Sequence, residues 1–159
     1  MTNYHCMRIC FGTCAAILVL ALIGCGSADH DAVDNIGLSF VTFPNGTRIT
    51  VETARTPLEL IKGLMDRDSL PDGHGMLFTH PDENIYHYWM YRTKIPLDII
   101  WMDHDQRIVE MSQNTPPCKA QSPKDCTNYG GNFKSKYSLE VNAGVAEKNK
   151  LQVGDVLRF

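Results

Sequence analysis

"IPLDIIWM", residues 95–102, holds one acid inside an otherwise apolar run. Read as a strand, its side chains alternate, with Leu97, Ile99 and Trp101 on one face and Asp98, Ile100 and Met102 on the other. Asp98 then sits among apolar neighbours, where an unpaired charge is very costly, so its carboxylate must be paired or hydrogen-bonded. Arg67 is a candidate partner and Thr93 offers a hydroxyl. Such a network would pin the neighbouring helix onto the sheet, and the competing role for Asp98 is that of a catalytic acid.

Working outward, short β-prone runs recur on both sides. Leu38 to Phe43 and Arg48 to Val51 flank the turn Pro44-Asn45-Gly46. Met76 to Phe78, Ile85 to Met90, Leu97 to Met102 and Arg107 to Met111 are separated by turn residues such as Pro81-Asp82-Glu83-Asn84 and Asp103-His104-Asp105-Gln106. Tyr137 to Asn142 and Asp155 to Phe159 complete the set. Thr56-Pro57-Leu58-Glu59 is a capping box with a first-turn proline, predicting one short helix whose Leu58, Ile61 and Leu64 or Met65 face inward. A second short helix fits Val145 to Lys150. The stretch from Gln113 to Lys136 reads as a long loop. This pattern predicts a mainly β domain, a compact β-sandwich or partly open barrel of short strands with one or two short helices. It lacks the regular strand and helix alternation of a parallel α/β sheet.

The N-terminus reads differently. Ile9 to Ile23 carries no charged side chain, Arg8 precedes it, and no acid occurs before Asp29, which is a signal-peptide profile. Leu22-Ile23-Gly24-Cys25 resembles the lipobox of bacterial lipoproteins, which implies cleavage before Cys25 and acylation of its thiol. Each buried methylene of the lipid would add about 0.8 kcal/mol of membrane affinity. The expected organisation is therefore a signal peptide over residues 1–24, a lipidated Cys25 with a polar tether over 25–35, and a single β-rich domain over 36–159. The expected location is the cell envelope, on the periplasmic face of the outer membrane where the cell has one. Cleavage takes Cys6, Cys10 and Cys14 with it and leaves Cys118 and Cys126, an even pair that in an exported chain reads as a disulfide. That bridge would close a short ring worth roughly 2.5 kcal/mol on the chain-entropy account. Loss of Arg8 leaves 14 basic against 18 acidic residues, a balance that argues against nucleic acid as a partner.

Three stretches carry the most specific information: "GLMDR" from Gly63, "LPDGHGMLF" from Leu70 and "YWMYRTKIPLDIIWMD" from Tyr88. With Leu139-Glu140, Ala143-Gly144 and Gly154-Asp155, their order and spacing resemble the bacterial and archaeal family known as domain of unknown function 192. The resemblance spans roughly residues 48–159. It implies a compact β-rich domain, often exported, and supplies no established reaction. The usual Lys-Asn between Trp-Met and Thr is Tyr91-Arg92 here.

For function the residues offer three readings. The first is a non-enzymatic, membrane-tethered binding or accessory domain, motivated by the lipobox and by the lack of G-x-S-x-G, H-E-x-x-H, P-loop and dinucleotide signatures. Its predicted site is a shallow pocket rimmed by Arg67, Trp89, Arg92 and Thr93, with Asp98 orienting Arg67 from beneath, suited to an anionic or polyhydroxylated ligand. No cofactor or metal is expected for it. The second is an enzyme acting on envelope carbohydrate or peptidoglycan, which requires Asp98 and Glu140 within about 5 to 10 Å across one open cleft. The third is a Cu(I) protein using Met65, Met76, Met90, Met102 and Met111 with His74, His80, His87 and His104.

Overall fold

The computed structural model describes residues 38–159; the predicted signal peptide, the acylation site Cys25 and the tether over 25–35 lie outside the described residues. β1 (Leu38–Thr42) and β2 (Arg48–Ala54) form the hairpin expected at Pro44-Asn45-Gly46. Then come α1 (Pro57–Lys62), β3 (His74–Trp89), β4 (Leu97–Met102), β5 (Ile108–Thr115), β6 (Asn128–Asn142) and α2 (Val145–Lys148). The strands make one six-stranded sheet in the order β1-β2-β3-β6-β4-β5. All neighbours run antiparallel except β2 and β3, which are parallel. A parallel pair needs a crossover, and α1 belongs to it.

The last residues close the figure. Thr42 at the β1 edge bridges Arg158, and Arg107 next to the β5 edge bridges Val156. Paired backbone bonds between Thr42 and Arg158, at 2.8 and 3.0 Å, and from Ile108 N–H to Asp155 C=O at 2.7 Å hold the segment there. The sheet is therefore a partly open barrel, laced by a C-terminal segment that bridges its two edges instead of adding the full strand expected over Asp155 to Phe159.

The alternation read from "IPLDIIWM" holds, and each face of β4 has its own core. Ile100 and Met102 join Val41, Val51, Leu139 and Leu157 inside the barrel. Leu97, Ile99 and Trp101 join Met76, Phe78 and Leu64 on the outer face. All six residues of β4 are buried, which at about 25 cal/mol per Å² of apolar surface makes this strand a major contributor to stability.

Four further expectations are corrected. Met76 to Phe78 and Ile85 to Met90 belong to one long strand, whose register slips between Thr79 and Asn84; Pro81 has no N–H to give a ladder, so the chain bulges there and pairing resumes. The loop assigned to Gln113 to Lys136 ends early, because β6 starts at Asn128 and pairs with Trp89. Gly130 and Gly131 make that possible: a Cβ on Gly130 would lie 2.4 Å from the Trp101 ring, and one on Gly131 would lie 2.1 Å from the His87 ring. In α1 the capping box forms as read, with the Thr56 hydroxyl accepting from Glu59 N–H and the Glu59 carboxylate from Thr56 N–H. Its apolar side does not all turn inward, since Leu58 and Ile61 are 75% and 60% exposed while Leu64, just past the helix, is buried.

Lastly, Asp98 does not meet Arg67. It is fully buried and accepts from Asn114 N–H and Ala146 N–H, each at 2.8 Å. Two backbone donors at the start of α2 and the end of β5 satisfy the carboxylate, and no cation is required.

Candidate functional site

Six residues of helix cannot cover the outer face of a six-stranded sheet. Between α1 and the outer face of β3 the structure leaves a cavity of about 420 Å³, within the roughly 300 to 1,000 Å³ of small-molecule sites. Leu60, Ile61 and Leu64 line it from the helix side, Phe78 and Tyr88 from the sheet, and Trp89 stands at its edge, 39% exposed. Gly63, at φ +44°, ends α1 over the Phe78 ring; a Cβ there would come within 3.1 Å of it. The glycine of "GLMDR" thus allows both the helix exit and the close approach that shapes the cavity wall.

Glu140 contributes the cavity's acid. In register it lies between Met76 of β3 and Ile99 of β4, so cross-strand pairing puts it on the outer face with them. It is 6% exposed, and no side chain or backbone group among the described residues hydrogen-bonds to its carboxyl. Burial pushes its carboxyl up to about 8, opposed only in part by the charge of Arg67. At neutral pH this is largely a neutral carboxylic acid, able to donate as well as accept.

The aromatic wall is itself knit together. Tyr88 meets the edges of Phe78 and Trp101 at centroid distances of 5.3 and 5.5 Å, and its hydroxyl shares a 3.1 Å hydrogen bond with His80 Nε2. His80 stacks on Tyr86 at 3.6 Å. Burial drives the His80 imidazole down to about 4 and the Tyr88 phenol well above its ordinary value, so both are neutral near pH 7. The Tyr86 hydroxyl donates to Asp82 at 2.6 Å.

The residues expected to form the site divide. Trp89 and Thr93 line the cavity. Arg67 does not: it forms a forked pair with Glu52 at 2.5 and 2.7 Å, which holds the Glu52 carboxyl below its usual value and the guanidinium above its own. Arg92 grips Asp66 with two bonds of 2.9 and 2.7 Å, and Lys94 meets Asp68 at 2.7 Å. These pairs tie the loop after α1 to the loop after β3, so the cations predicted to meet an anionic ligand are committed to carboxylates. Asp98 lies on the barrel-interior face, beneath neither Arg67 nor the cavity.

Asp98 neighbours Ile99, the register partner of Glu140, so the two acids project from opposite faces of the sheet. They share no cleft, and the two-carboxylate arrangement fails on geometry. The copper set does not come together as a whole: Met65, His80 and His87 line the cavity, whereas Met76 and Met90 pack in the outer core, Met102 and Met111 in the inner one, and His104 is engaged with Glu83 at 2.9 Å. The disulfide forms between Cys118 and Cys126, with Cα atoms 5.7 Å apart. Cys118 N–H donates to Met90 C=O at 3.1 Å and Thr93 N–H to the same oxygen at 3.2 Å, so the stapled loop backs the rim that carries Trp89 and Thr93.

Sequence reasoning missed Phe78, named His80 only in the copper set and treated Glu140 only as a companion of Asp98. The signal available was the lone acid in "YSLEVN": in a strand otherwise read as core, it is the counterpart of Asp98 in β4.

No curated protein matches the chain. Two solved structures are similar across most of its length. One is a protein of unknown function from Novosphingobium aromaticivorans DSM 12444, 32% identical with a TM-score of 0.67, covering 77% of this chain and 85% of that one. The other, from Sinorhizobium meliloti 1021, is named a "putative transcription regulator"; it is 28% identical with a TM-score of 0.65, covering 75% of this chain and 89% of that one. Residues 40–159 match the DUF192 family, described as Uncharacterized ACR, and the chain belongs to that family.

Proposed function

We propose that this protein is a non-enzymatic binding domain, tethered to the outside of a membrane through Cys25, that holds a small ligand in the cavity between α1 and β3. The observation that carries the reading is Glu140, a buried acid with no partner of its own at the wall of an apolar cavity of about 420 Å³. Its carboxyl reaches the cavity, so a ligand that bonds to it gains a hydrogen bond that no neighbouring protein group competes for. The anionic ligand weighed from the sequence loses its support, because Arg67, Arg92 and Lys94 are already paired. The regulator name of the Sinorhizobium protein finds no support here, since a net charge of −3 argues against nucleic acid as a partner.

An unbiased small-molecule screen by thermal shift on residues 36–159 tests the reading. Ligands that raise the melting temperature should lose their effect when Ile61→Trp fills the cavity mouth; hits that persist in that variant would place binding elsewhere. For the tether, inhibition of lipoprotein signal peptidase should make the precursor accumulate, and unchanged processing would remove Cys25 from the proposal.

A further inference from the structure

The chemistry of the cavity wall narrows its occupant. The hydroxyls of Tyr86 and Tyr88 are bonded to Asp82 and His80, and His87 Nδ1 lies 3.2 Å from Gly130 C=O. Among the lining residues, the side-chain polar groups without a hydrogen bond to protein are the Glu140 carboxyl, the buried Thr93 hydroxyl, the Trp89 indole N–H, the second ring nitrogens of His80 and His87, and the exposed Lys62 ammonium, and Glu140 is the one acid among them. What the wall offers in quantity is aromatic surface, from Phe78, Tyr86, Tyr88 and Trp89, around one carboxyl. Aromatic faces attract cations, most strongly when both are desolvated.

We propose, building on the reading of this cavity as a binding site, that its ligand is a small organic monocation, an alkyl- or arylalkylammonium whose charged head pairs with Glu140 and whose apolar body lies between α1 and the aromatic wall of β3. Without ligand, a carboxylate at Glu140 would be an unpaired buried charge; the ammonium brings the missing counter-charge. Binding therefore ionises the acid: its proton leaves to solvent, and the N–H donors of the ligand take its place on the carboxylate. The charged and titratable groups facing Glu140 do not supply that partner. Arg67 is committed to Glu52, His80 and Tyr88 are neutral and bonded to each other, Tyr86 donates to Asp82, and Lys62 is at the solvent edge, where water and salt screen it.

The test uses the full chain in a non-ionic detergent, titrated calorimetrically with butyl-, hexyl-, benzyl- and 2-phenylethylammonium and with the matched neutral alcohols. The measurements run at pH 6, 7 and 8 in buffers of different ionisation enthalpy. The expected result is binding of at least one ammonium ion more tightly than its alcohol, with release of up to one proton below pH 8. Affinity should rise with pH by as much as about tenfold per unit over that range. Glu140→Gln should weaken the ammonium ion at least about tenfold and abolish proton release while the variant still melts cooperatively. Tighter binding of the alcohols, ammonium binding without proton release, or binding indifferent to Glu140→Gln overturns the cation assignment; alcohols binding alone would do so while leaving the cavity a binding site. Failure of every ammonium ion and every alcohol also overturns it, and the broader reading then stands or falls by its own screen.

Discussion

Glu140 and His80 are two buried groups that both prefer to be neutral, and they bias stability in opposite directions of pH. For Glu140, whose carboxyl moves from an ordinary 4.5 to about 8, the unfolded chain loses its proton first. Stability therefore falls as pH rises from 4.5 to 8, by at most about 1.4 kcal/mol per unit, and levels off above. His80 moves from 6.5 to about 4, so the unfolded chain gains its proton first, and stability falls as pH drops from 6.5 to 4. Between about 4.5 and 6.5 the two slopes cancel. Thermal melts should show a plateau there and a decline from 6.5 to 8; in Glu140→Gln the decline should vanish and the melting temperature at pH 8 should exceed that of the native protein. A variant no more stable at pH 8 would contradict the burial of Glu140 as a neutral acid. Glu140 was visible in the sequence as one acid within an apolar strand. Its solitude was not, because only the three-dimensional commitment of Arg67 to Glu52 leaves it without a partner.

Between elements, Asp98 does what its position in "IPLDIIWM" demanded, through different partners. The alternation of β4 was legible because both of its faces are buried and the period of two survives intact. The identity of the partners was not, because they are backbone N–H groups that every residue carries. Asp98 joins β4 to the end of β5 and to the first residues of α2, a helix too short to stand alone. Asp98→Asn keeps one acceptor and turns an amide donor toward a backbone donor. A loss of about 1 to 3 kcal/mol in denaturant unfolding is expected, with faster amide exchange in α2 and ligand binding at the cavity retained. Loss of binding without loss of stability would return Asp98 to the site. The β3–β6 ribbon was the least legible element. Its β6 half, "NYGGNFKSK", lacks apolar alternation because two of its positions must be glycine to pass beneath the Trp101 and His87 rings. Packing against those rings, not propensity, makes it a strand.

For the molecule as a whole, the mainly β class and the partly open barrel followed from many short strands between turns. The single parallel pair did not, because α1 is brief and its exposed Leu58 and Ile61 obscure the crossover. That crossover is what leaves room for the cavity, so a feature hidden from the sequence is one on which the proposed function depends. The C-terminal lacing has a kinetic meaning as well. Thr42 and Arg158 stand at opposite ends of the domain's sequence, and the entropic cost of joining them is met only after the intervening strands have paired. Leu157, fully buried inside the barrel, should therefore have a low φ-value. In stopped-flow experiments Leu157→Ala should accelerate unfolding by most of its stability loss and leave the refolding rate nearly unchanged, whereas a slowed refolding limb would show that the ends meet early. A barrel that latches last is held shut by its slow release, so the lifetime of the folded protein in an environment without chaperoned refolding is set at the segment that joins its two edges.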